Sequence, residues 1–218
     1  MRRGFVLGGT KIKSLLLDMD GVIVDSEKAW LRAFNDTLKN FGSAPISEKT
    51  YLEKYSKYGS VPIIISMLRK DYCNQRLDEK AVEYCNSRFS DMVADVRLFP
   101  GAKETVGNCR KRFRMALVTN TKKLDVFRIL KNLDIEKYFD VIVTSDDVKK
   151  GKPDPELILK ACKVLRTKPK NAALVGDSLS DMEAGKAAGC FFIGVGISGD
   201  MRIGSIAELD HELCTGHS

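Results

Sequence analysis

Four short stretches hold the residues best able to do chemistry. Asp18-Met19-Asp20-Gly21 sets two carboxylates two residues apart, and Gly176-Asp177-Ser178-Leu179-Ser180-Asp181 supplies two more. Between them in the chain stand Thr119-Asn120 and Gly151-Lys152-Pro153-Asp154-Pro155. Close carboxylates repel unless a cation or a proton intervenes. Asp18, Asp20 and Asp177 together offer the hard oxygens that suit Mg²⁺. Thr119 adds a hydroxyl, Asn120 a further donor and Lys152 a fixed positive charge. Phosphoryl transfer needs this equipment, because charge on the phosphoryl oxygens must be neutralised at a fixed position. A carboxylate can also be the nucleophile and form an aspartyl-phosphate. Each stretch alone has a plainer reading, as a turn or a helix cap. Their order along the chain argues for more.

Hydrophobic patterning supplies the elements that must position them. Residues 13–17 read as a buried strand ending at Asp18. Strands are also predicted at 115–118, 141–143, 172–175 and 191–195, alternating with helices at 102–111, 155–165 and 181–188. Such alternation implies a parallel sheet with helices on both faces, an α/β, Rossmann-like core. The polar stretches follow four different strands, and the carboxyl ends of strands line the ligand crevice of an open α/β sheet. Residues 26–97 instead read as all helix: Ser26 is a candidate cap, and Ala29, Trp30, Ala33, Phe34, Leu38 and Phe41 fall at helical spacing. Further helices are expected after Ser47, from Ser60 with Pro62 in the first turn, and from Asp78. The expected division is a catalytic core of residues 1–24 and 98–218 with an inserted helical cap at 25–97.

These four stretches, with Val22-Ile23-Val24-Asp25-Ser26-Glu27 continuing the first, resemble the haloacid dehalogenase superfamily, in the branch with a helical cap after the first strand. The resemblance implies that Asp18 is the nucleophile and Asp20 the general acid and base. It implies that Thr119, Asn120 and Lys152 face the phosphoryl group. Asp177 would hold Mg²⁺ with Asp18 and the backbone carbonyl of Asp20, and Asp181 would support the site without touching substrate. The cap loop between the second and third helices would face the site, which points to Lys57, Tyr58 and Ser60. Asp20 argues against true dehalogenases. Trp30 stands where the sugar-phosphomutase branch carries a cap histidine, and nothing at that position is expected to hold Asp20 back. The expected activity is Mg²⁺-dependent hydrolysis of a small phosphorylated metabolite, like phosphoglycolate or a sugar phosphate. A phosphomutase of the same fold and a phosphoryl-receiver module are the alternatives.

The remaining composition fits. The 218 residues carry a net charge of +7, all of it accounted for between Lys103 and Lys131, where nine basic residues oppose Glu104 and Asp125. The solvated faces of two helices explain this better than a nucleic-acid surface, because no aromatic interleaving accompanies the charge. Six scattered cysteines without a CxxC pair suggest reduced thiols and a cytoplasmic setting. No apolar run is long enough to span a membrane. Residues 1–9 read as a ragged leader or a cloning remnant.

Overall fold

The computed structural model describes residues 5–7 and 9–215. A hairpin of β1 (Phe5–Leu7) and β2 (Thr10–Ile12) comes first, followed by β3 (Ser14–Leu17). The short strand β4 (Val24–Asp25) leads into helices α1 (Glu27–Asn40), α2 (Glu48–Lys54), α3 (Val61–Asp71) and α4 (Glu79–Ser90). The chain returns through β5 (Arg97–Leu98), which pairs antiparallel with β4. Next come α5 (Ala102–Arg112), β6 (Arg114–Val118), α6 (Lys123–Asn132), β7 (Val141–Val143) and α7 (Glu156–Val164). The chain continues through β8 (Ala172–Gly176), α8 (Leu179–Ala188), β9 (Phe191–Val195), β10 (Met201–Ile203) and α9 (Leu209–Thr215).

Six strands form one parallel sheet in the order β10-β9-β8-β3-β6-β7. This is the α/β, Rossmann-like architecture expected from the alternation. Because side chains alternate across a strand, Leu15 and Leu17 enter one core layer and Leu16 the other. The first layer also takes Val106 from α5 and Ile129 from α6, and the second takes Leu157 from α7 and Ala184 from α8. A strand segment covered on both faces must be apolar, which is why residues 15–17, 115–118 and 172–176 of β3, β6 and β8 read as hydrophobic runs. The apolar residues of α1, α3 and α4, among them Phe34, Leu68 and Phe89, are continuous with the first layer.

Three expectations change. Phe5-Val6-Leu7 is not a ragged leader: it pairs with Thr10–Ile12 around Gly9, whose φ of +76° suits the turn. Residues 1–4 and 8 lie outside the described residues. Residues 191–195 are not the last strand, because Met201–Ile203 adds to the sheet edge, too short to show a pattern. The helix expected from Asp78, whose apolar spacing continues through Met92 to Val96, stops at Ser90 and is followed by a 3-10 turn at Val93–Asp95. In the basic segment, Lys103, Arg110 and Lys123 pair with Asp134, Asp140 and Asp147, acidic residues beyond it. Cys73, Cys85, Cys162 and Cys190 form no disulfide. No helix among the described residues is long and apolar enough to cross a membrane.

Candidate active site

The central strand β3 ends at Asp18, between β6 and β8, at the point where the chain's connections switch from one side of the sheet to the other. The carboxyl ends of these three strands bring Asp18, Thr119 and Asp177 together. Gly21 makes this close approach possible. Its φ is +76°, and a Cβ there would fall 1.9 Å from Asp177 Oδ2.

Lys152 is the electrostatic centre. The residue is 3% exposed, and its ammonium lies 2.8 Å from Asp18 Oδ1 and 2.6 Å from Asp181 Oδ1 and also donates to the Val118 carbonyl. Burial would lower its pKa, but the two carboxylates outweigh burial and hold it above the ordinary lysine value. One cation does not balance the site. Oxygens of Asp18, Asp177 and Asp181 lie within 4.8 Å of one another. Burial, then repulsion from Asp181, raises Asp18 well above the usual carboxylate range, against the pull of Lys152. The same causes push Asp177 up to about 8. Hard oxygens carrying surplus negative charge fit a divalent cation such as Mg²⁺.

Asp181 has both oxygens engaged. Oδ1 meets Lys152, and Oδ2 accepts from the Ser178 backbone N–H and hydroxyl, closing the capping box of α8. That leaves Asp18 and Asp177 as the carboxylates free to take a metal. Asp20, expected to reach a metal through its backbone carbonyl, turns its carboxylate away from the cluster of Asp18, Asp177 and Asp181. Oδ1 accepts from the Ser26 hydroxyl at 2.5 Å and the Trp30 indole N–H at 3.3 Å. Oδ2 accepts from Thr121 at 2.7 Å and Thr119 at 3.5 Å.

Several expected roles need correction. Ser26 precedes α1 but does not cap it, because its hydroxyl is spent on Asp20. Trp30 does hold Asp20, contrary to the expectation that nothing there would; its ring stacks on Phe89 at 3.7 Å, which fixes the indole N–H. The Asn120 side chain is not offered to a phosphoryl group. Its amide donates to the Gly59 and Lys152 carbonyls and its oxygen accepts from the Lys152 N–H, so it braces the Lys152 loop and the loop before α3. Lys57 is exposed and sits against the Tyr58 ring, and neither side chain lines the pocket over Asp18. Tyr58 instead contributes its carbonyl to Ser180, and of the three cap residues only Ser60 lines the pocket. Thr121 and Tyr51 escaped the sequence reading, and Glu27 entered it only as the end of the first motif, with no role of its own. Thr121 could have been found, since it repeats the hydroxyl of Thr119 two residues on at the same strand end.

Comparison with known proteins agrees with this geometry. Residues 15–195 match the model of the haloacid dehalogenase-like hydrolase family. A phosphorylated carbohydrates phosphatase of Thermotoga maritima is 31% identical over 181 residues, covering 82% of each chain. A phosphoglycolate phosphatase of Nitrosospira multiformis is 32% identical over 183 residues, covering 82% of this chain and 80% of its own. Among solved structures, CbbY of Rhodobacter sphaeroides in complex with phosphate superposes with a TM-score of 0.74 at 26% identity, over 91% of this chain and 96% of that one. With its sheet, its carboxylates and these relatives in agreement, the chain belongs to the haloacid dehalogenase-like hydrolases.

Proposed function

We propose that this phosphatase hydrolyses a small phosphomonoester, phosphoglycolate-like or sugar-phosphate-like, through an aspartyl-phosphate on Asp18, with residues 25–97 acting as a cap over the core. The observation that carries the reading is the meeting of Asp18, Asp177 and Lys152 beside Asp20 at the ends of the central strands.

Asp18 is held from behind: Oδ1 accepts from the Met19 N–H and from Lys152, which orients the carboxylate toward the pocket it lines. In the proposed first step a carboxylate oxygen of Asp18 attacks phosphorus and the bond to the leaving oxygen breaks. Asp20 gives that oxygen its proton. In the second step Asp20 takes a proton from water, whose oxygen attacks phosphorus and frees Asp18 and phosphate. General acid–base catalysis of this kind supplies about 10²–10⁴ in rate. Asp20 already accepts from four donors, so it must exchange one of them for the leaving oxygen. Thr119 lines the pocket and would meet the phosphoryl oxygens, whereas the Lys152 ammonium, held by Asp18, Asp181 and the Val118 carbonyl, must exchange one of these partners to reach them. Mg²⁺, held by Asp18 and Asp177, would supply charge neutralisation at the phosphoryl group.

The phosphomutase alternative draws on one observation, the Trp30 contact that restrains Asp20. An indole N–H donates but does not exchange its proton usefully, so it supports holding Asp20 and not relaying a proton. The test is phosphate release from a phosphomonoester panel and an aryl phosphate, with Mg²⁺ and with excess chelator. Metal-dependent release supports the reading, and full activity in chelator overturns the metal assignment. In a sugar 1-phosphate supplemented with catalytic bisphosphate, formation of the 6-phosphate much faster than free phosphate would favour the mutase.

A further inference from the structure

We propose that the pocket selects an uncharged, hydroxyl-bearing leaving group and discriminates against anionic ones, with Tyr51 and Glu27 as the specificity-determining residues. This deepens the phosphatase reading and rests on it. The cavity over Asp18 is about 250 Å³, below the roughly 300–1,000 Å³ of sites for drug-sized ligands, so its occupant is small. Away from the catalytic carboxylates its walls are Trp30, Phe34, Tyr51 and Ile64, and its charged groups are Asp25 and Glu27. No lysine, arginine or histidine is among the lining residues. Lys152, the cation beneath, is committed to Asp18 and Asp181.

An independent observation points to a ligand. Tyr51 is 5% exposed, and its hydroxyl makes no hydrogen bond to a described residue. Among the described residues every fully buried side-chain nitrogen or oxygen has a partner, so this hydroxyl keeps its access through the pocket that Tyr51 lines. Buried tyrosines ordinarily satisfy their O–H, and here the bonding capacity is directed at whatever enters. Burial, with Glu27 and Asp20 nearby, raises the phenol above its ordinary pKa, which keeps it a neutral donor. Glu27 offers only acceptors. Burial and the nearby Asp25 and Glu48 raise its pKa, a sign that the pocket mouth already carries excess negative charge. A neutral alcohol with further hydroxyls can donate to Glu27, pair with Tyr51 and lay its C–H face on Trp30 and Phe34. A carboxylate or phosphate leaving group would instead meet Asp25 and Glu27 with no cation to receive it.

The experiment compares kcat/KM for glycerol 3-phosphate and a hexose 6-phosphate with that for phosphoglycolate and pyrophosphate, with Mg²⁺, using an aryl phosphate as reference. The uncharged leaving groups should be preferred by about tenfold or more over the anionic ones. Glu27→Lys should lower that ratio by about tenfold or more, and Tyr51→Phe by roughly 3–10-fold, the worth of one hydrogen bond. Glu27→Gln provides a milder second variant, expected to move the ratio in the same direction. A preference for phosphoglycolate, a preference for phosphoethanolamine over glycerol 3-phosphate, or an unchanged ratio in all three variants would overturn the inference while aryl phosphate hydrolysis leaves the phosphatase reading intact. Absence of Mg²⁺-dependent aryl phosphate hydrolysis would remove both together.

Discussion

Lys152→Met tests the electrostatic logic of the site directly. The methionine keeps the unbranched apolar stem, one atom shorter, and removes the charge that stands between Asp18 and Asp181. Both carboxylates are nearly inaccessible, at 6% and 0% exposed, so water cannot replace the lost cation. Removing one partner from a buried ion pair costs about 3–5 kcal/mol. For a chain of this size each kcal/mol moves Tm by roughly 2–4 °C, so the metal-free variant should melt about 6–20 °C below the parent at pH 8. The deficit should shrink toward pH 5. The raised pKa values of Asp18 and Asp177 mean that acid neutralises the repulsion that Lys152 otherwise offsets. Lys103→Met is the control, since its ion pair with Asp134 is exposed and worth about 0–1 kcal/mol. Adding Asp181→Asn to Lys152→Met should recover part of the loss, because it removes the stranded charge. Circular-dichroism melts in chelator measure all four proteins. A Lys152→Met variant melting within about 2 °C of the parent at pH 8, or a deficit that does not depend on pH, would refute the reasoning.

The other predictions concern the same carboxylates and the loop above them. Asp18→Asn should cut phosphate release by about 10⁴-fold or more, yet raise the metal-free melting temperature at pH 8, since a buried charge disappears while Lys152 keeps Asp181; a drop in Tm would contradict it. In the metal-free parent, folding raises the pKa of Asp177 from 3.8 to about 8. Its stabilising contribution is therefore complete below about pH 4 and lost as pH rises through 8, so Tm should fall across that window. Saturating Mg²⁺ should flatten the fall, by about 2.7 kcal/mol at a hundredfold excess over Kd; parallel profiles with and without Mg²⁺ would count against the metal site. Gly59→Ala puts a Cβ 2.6 Å from Ser178 Oγ at a φ of +56°. It should loosen the contacts of the Gly59 and Tyr58 carbonyls with Asn120 and Ser180, raising KM several-fold, and an unchanged KM would show that this loop does not close the site.

The sequence by itself determined the sheet and much of the site. Strands covered on both faces are apolar where they are covered, so the hydrophobic runs of β3, β6, β8 and β9, with the shorter run of edge strand β7, announced themselves, and Asp18, Thr119 and Asp177 sit just past strand ends. Asp18, Thr119 and Asp177 were legible because strand ends converge in a parallel sheet, whereas Lys152, on the long loop between β7 and α7, was legible only from its Gly151-Lys152-Pro153-Asp154-Pro155 stretch. Tertiary structure decided how each polar side chain spends its bonds. Ser26 was as good a cap as any serine until the fold brought Asp20 within 2.5 Å of it. Asn120 looked like a phosphate donor until the Lys152 loop and Gly59 claimed its amide. Trp30 and Tyr51 belong to an ordinary apolar helical pattern, and a polar atom at the end of an aromatic ring leaves no trace in that pattern. Whether such an atom meets a carboxylate, as in Trp30, or opens on a pocket, as in Tyr51, depends on how α1 and α2 pack over the sheet. Hydrophobic burial has a period that a sequence can display, whereas a hydrogen bond between distant residues has none.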